Sequence, residues 1–160
     1  MRSAHGGQGR HPASLPLAAA LLQALLLSVV CGTAAAEDCP YTPAVGSAER
    51  QAIMDALREP VEAEIKQRVV FVAEQFAACR GWAFLEATAQ QPDGSPVDWS
   101  ITPYDDAVAD GVCGGYVHAL LMKDGGRWRV RAQVICASDV PWVSWPEQYG
   151  APSELFPRFD

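Results

Sequence analysis

Two runs of alternating residues, each folded about a glycine-bearing reversal and each carrying cysteines, constrain this chain more than anything else in it. From Val69 the apolar residues recur at every second position, the period of a strand rather than a helix. Stretches 69–78 and 82–90 flank Arg80-Gly81, and stretches 116–123 and 128–136 flank Asp124-Gly125-Gly126. Glycines at such points accept the positive φ that a tight hairpin demands. In the last stretch Arg127, Arg129, Arg131 and Gln133 alternate with Trp128, Val130, Ala132 and Val134, which predicts one wet and one buried face. The pattern predicts four antiparallel strands in meander order.

What precedes the strands is a helix. Ser47 is placed to cap it, Glu49 suits the first turn, and Ile53, Met54 and Leu57 share one side. Pro60 lacks an N–H and restricts Glu59, so the sequence predicts a kink there or a fresh turn through 61–65. The stretch 91–115 is a long connection rich in Pro, Asp and Gly that holds Trp99 and Tyr104. After the last strand, Ser138 to Pro146 carries Trp142 and Trp145, three residues apart and so on one side of a helical turn. Large aromatics mostly serve burial, so these two are expected to cover an open end of the core; exposed, they would form a binding patch.

The first 36 residues read as a secretory signal peptide. Arg2 and Arg10 begin it without any acid, 15–30 is almost wholly apolar, and Thr33-Ala34-Ala35-Ala36 supplies a small-residue cleavage site. The apolar run falls short of the ~20 residues that span a bilayer. Cleavage after Ala36 leaves an arm, 37–47, and one domain, 48–160. It removes two arginines and no acid, leaving 10 basic against 19 acidic side chains. That balance argues against nucleic acid or an anionic membrane surface as partner. The chain has no Asn, and Arg far outnumbers Lys, a usage that fits a GC-rich bacterial genome and hence the periplasm.

One helix followed by a four-stranded antiparallel meander is an α+β arrangement of the cystatin-like kind, a sheet gripping one helix. The chain also resembles small exported proteobacterial domains of unknown function. The stretches that carry the resemblance are Arg50-Gln51-Ala52-Ile53-Met54-Asp55-Ala56-Leu57-Arg58, Gly81-Trp82-Ala83-Phe84, Gly126-Arg127-Trp128-Arg129-Val130 and Asp139-Val140-Pro141-Trp142. The resemblance implies export and this fold, and no activity. Pro141-Trp142 is similar to the second wedge of cystatins, but Gln67-Arg68-Val69-Val70-Phe71 lacks the glycine of their Q-x-V-x-G hairpin.

The meander selects a cysteine pairing. Cys113 stands 12 residues before Gly125 and Cys136 stands 11 after it, so they fall opposite each other away from the hairpin tip. Cys79 belongs to the other hairpin's tip, and Cys39, just before the helix, lies at that end too. The predicted bonds are Cys39–Cys79 and Cys113–Cys136, as an oxidising compartment allows.

Chemistry is harder to find. With no C-x-x-C and a single histidine after cleavage, no metal site and no cofactor are expected. His118 lies mid-strand without a G-x-S-x-G, Asp105, Asp106 and Asp110 fail the EF-hand order, and Glu74 and Glu86 are expected to lie near each other across the first hairpin. Two functions follow. The first is a non-catalytic periplasmic module that binds an envelope protein or cell-wall component through Trp142, Trp145, Tyr104 and Trp99. The second is a small-ligand pocket or enzyme in the cone of the curled sheet, like nuclear-transport-factor-2-like folds, with His118, Glu86 and Asp98 as catalytic candidates.

Overall fold

The computed structural model describes residues 38–158; the expected leader and its expected cleavage site lie outside them. A helix, α1 (Ala48–Ile65), is followed by β1 (Val70–Cys79), β2 (Trp82–Gln90), α2 (Asp105–Ala109), β3 (Tyr116–Asp124), β4 (Arg127–Ala137) and α3 (Trp145–Tyr149). The strands form one antiparallel sheet in the order β1-β2-β3-β4, the predicted meander. Ser47 caps α1 by accepting from the Arg50 N–H at 3.1 Å. The helix does not stop at Pro60: it is one element to Ile65, ended by Lys66 in the left-handed conformation. Tertiary burial holds the last turn, because Val61 and Ile65 are wholly inaccessible.

Both hairpins turn where expected. Gly125 and Gly126 have φ of 54° and 82°, and Arg80 and Gly81 have 49° and 79°, so a non-glycine residue accepts the left-handed position in the first hairpin. The sulfurs of Cys39 and Cys79, and those of Cys113 and Cys136, are at bonding distance, with Cα separations of 5.0 and 4.7 Å. Gly114, beside the second bridge, packs so closely that a Cβ there would meet the Ala137 carbonyl oxygen at 2.6 Å.

The sheet is covered on both faces over its middle. On one, Ile53, Leu57, Val61 and Ile65 of α1 pack against Phe76, Ala83, Leu85, Val117, Leu121 and Trp128. On the other, Phe84 and Leu120 pack against Trp142, Trp145, Leu155 and Phe156 of the C-terminal segment. The alternation predicted for β4 does not run through the strand. Its register slips between Leu120 and Leu121 of its partner strand, with Ala132 and Val130 opposite, so Arg131 is the extra residue of a bulge. Beyond it the faces exchange: Ala132 and Val134 lie under the C-terminal segment, while Gln133 reaches α1 and donates to Glu64 at 3.1 Å. A second slip in β4 falls at Cys136, whose φ is 68°. Another, in β1, falls at Glu74.

Candidate functional site

The register places Glu86 of β2 directly opposite His118 of β3. Both side chains leave the sheet on the face that the C-terminal segment covers. The carboxylate oxygen Oε2 of Glu86 lies 3.3 Å from Nε2 of His118. The Trp142 ring lies against the imidazole at a tilt of 41°, with ring centres 4.7 Å apart. It also touches Phe84 at 5.4 Å, and Phe84 meets Trp145 and Phe156 at 6.4 and 5.1 Å. Phe84 is thus the hub of this layer, and His118 sits at its margin with 3 % of its surface exposed.

Burial lowers the His118 pKa, and the charge of Glu86, its hydrogen bond and the more distant Asp139 oppose that shift without cancelling it. The carboxylate selects the tautomer with hydrogen on Nε2. Nδ1 is then a buried lone pair, and it has no hydrogen-bond partner among the described residues. Protonation would put a second donor there with nothing to receive it. A histidine–carboxylate pair is the beginning of acid–base machinery, but general acid–base transfer needs a substrate proton within reach. Here His118 is withdrawn from solvent beside Trp142, and Glu86 is the partly exposed member of the pair.

The other candidates are dispersed. Asp98 stands in the long connection, where it caps a 3-10 turn by accepting from the Ser100 N–H at 3.1 Å and takes no part in the His118 pair. Glu74 is the extra residue of the β1 bulge, next to the Gln75 that pairs with Glu86, and it accepts from the Thr88 hydroxyl at 2.9 Å. Trp99 and Tyr104 are half-buried and meet edge to face at 6.1 Å. The Tyr104 hydroxyl donates to Glu64 of α1, and burial, with that carboxylate, raises its pKa well above the ordinary phenol value. Trp142 and Trp145 are 5 % and 4 % exposed, so their rings lie inside the second layer. Among the described residues no cluster of three or more His, Cys, Asp or Glu is arranged to hold a metal ion. Nor, among them, is any helix long and apolar enough to cross a membrane.

With both faces covered over the middle of the sheet, open geometry lies beside α1. A cleft of about 240 Å³ between α1 and β1 is lined by Arg50, Met54, Arg58, Val70 and Phe71 among others. A shallower groove of about 420 Å³ runs between α1 and β4 past Glu59, Pro60 and Trp128. The sequence reading passed over the first cleft. Its signal was present in the exposed-position valines Val70 and Val72 of an edge strand that has no Lys or Pro to guard it. No family model, curated protein or solved structure matches the chain.

Proposed function

We propose that this chain is an exported, disulfide-held module of cystatin-like arrangement that binds another protein and performs no catalysis of its own. The leader composition and the two cysteine pairs support export to the periplasm. One observation carries the binding reading: the chain buries its only described histidine and the middle of both sheet faces, yet among the described residues the outer edge of β1 is unpaired from Phe71 to Phe76, beside a cleft. Val70 and Val72 of that strand are 38 % and 48 % exposed. A long, partly apolar edge strand invites another chain. The other outer strand, β4, is guarded more heavily, by the exposed cations Arg127, Arg129 and Arg131 and two bulges, against the one bulge and one acid, Glu74, of β1.

Selection of random displayed peptides against the oxidised exported chain tests this reading. Saturable one-to-one binders are the expected result; a library that yields none overturns it. The small-ligand or enzyme reading draws on the His118–Glu86 pair alone. A His118→Gln variant that loses turnover of a small ester or amide substrate would favour it.

A further inference from the structure

We infer that the open edge of β1 and its cleft with α1 form the docking site for an extended acidic and apolar segment of a partner, added as a fifth strand. The inference rests on the binding-module reading above and names its site and partner chemistry.

The backbone defines the edge. In an antiparallel strand the N–H and C=O of a residue point to one side, and the next residue points to the other. Ala78 turns its pair outward, exchanging hydrogen bonds of 3.0 and 2.7 Å with Tyr41 of the arm. Phe76 shares that orientation, and beyond the Glu74 bulge so do Ala73, Phe71 and Val69, whose side chains all pack toward α1. The Val69 carbonyl is taken by Arg58 Nε at 3.1 Å. Between these two closures the outward groups of Phe71, Ala73 and Phe76 have no hydrogen-bond partner among the described residues. The arm, pinned by Cys39–Cys79, shows that this edge accepts an added strand at Tyr41.

The side chains define the partner. α1 passes β1 from Arg50, which lies over the Phe76 ring at 4.5 Å, to Arg58, which reaches Val69. A strand laid on the edge sends alternate side chains into the cleft. At about 240 Å³ the cleft is below the roughly 300–1,000 Å³ of a small-molecule site and suits a side chain instead. Met54 and Phe71 give it apolar walls, and its rim carries the guanidinium groups of Arg50 and Arg58 against the single carboxylate of Asp55. Arg58 also pairs with Asp55, and Arg50 donates to the Pro43 carbonyl at 3.0 Å, which leaves further N–H donors on each. The two arginines are eight residues apart in α1, about 12 Å along a helix. Acids four residues apart on a strand are separated by about 13 Å. The other set of side chains lies over Val70 and Val72, so it is apolar.

The probe is the capped peptide Glu-Val-Leu-Val-Glu-Val, labelled for fluorescence anisotropy and titrated with the oxidised exported chain. Saturable binding is expected, with amide-exchange protection at Phe71 and Ala73. The peptide with Lys for both Glu should bind at least about tenfold more weakly. Arg58→Gln should weaken the acidic peptide and not a form with both Glu replaced by Gln. N-methylating one alternate set of peptide amides should abolish binding while the other set is tolerated, a signature of pairing with one edge that leaves the protein unaltered. Equal loss on methylating either set, or equal affinity for the Lys peptide, would overturn the inference. If the probe fails but displayed peptides bind and protect residues elsewhere, the edge is wrong and the module reading stands. If nothing binds by either route, both fall.

Discussion

The two layers that cover the sheet reach the same degree of burial by different means. On the helix side, Ile53, Leu57, Val61 and Ile65 recur every four residues, a spacing that keeps them on one side of a helix, and all four are inaccessible. On the other side no element is longer than the five residues of α3, and the cover comes from Trp142, Trp145, Leu155 and Phe156 in short turns around Phe84. A regular helix buries a stripe by repetition. An irregular segment has no repeat to exploit, so it relies on a few rings of large area. Each layer also has its own disulfide: Cys113–Cys136 lies in the helix-side cluster and Cys39–Cys79 in the other.

The comparison breaks first in the cores. Phe84→Ala should cost about 3–5 kcal/mol and Leu57→Ala about 2–5 kcal/mol, both read from urea unfolding. If the C-terminal segment were only draped on the sheet, Phe84→Ala would cost far less than Leu57→Ala. Next come the bridges. Replacing either cysteine pair by Ala should cost about 2–4 kcal/mol. The bridges span 40 and 23 residues, so in the chain-entropy account the Cys39–Cys79 pair is worth about 0.5 kcal/mol more, measurable in thermal unfolding of the two double variants.

A smaller difference separates the layers in acid. The folded His118 pKa lies below that of the unfolded chain, so the unfolded state binds the proton more readily. Stability is therefore full above the ordinary histidine range and declines as pH falls through about 6.5 toward the folded value. His118→Gln should flatten the slope of melting temperature between about pH 7 and pH 5, while Leu57→Ala should lower the whole curve without changing that slope. The smallest effect is expected at Val143, adjacent to buried Trp142 but itself 63 % exposed. Val143→Ser should change stability by no more than about 0.5 kcal/mol in the same melts, which would separate the buried from the exposed residues of one turn.

The helix face was far more legible than the other. Periodicity located α1 to Arg58, the four strands to within a residue or so, and both turns, because each depends on local pattern. The three bulges were not legible. An extra residue at Glu74, Arg131 or Cys136 leaves no compositional trace, yet each exchanges the faces of every residue beyond it. For that reason Gln133 was expected on the wet side, whereas it donates to Glu64 of α1. The meeting of His118 with Glu86 required the β2–β3 register across a long connection, which no turn motif specifies. Asp98 was drawn toward the site only by its charge. The tail showed its burden of aromatics without showing which residues they would meet, because Phe84 lies about 60 positions earlier.

The order of the cysteines along the chain has a consequence for how the molecule matures. Of the three ways to join Cys39, Cys79, Cys113 and Cys136, this fold uses the one in which each cysteine bonds its next neighbour. If the chain is exported and Cys31 leaves with the leader, threading from the N-terminus into an oxidising space presents the first pair, with α1 and β1 between them, before Cys113 has emerged. An oxidant that simply couples thiols as they arrive makes both native bonds, and shuffling of wrong ones is not a required step.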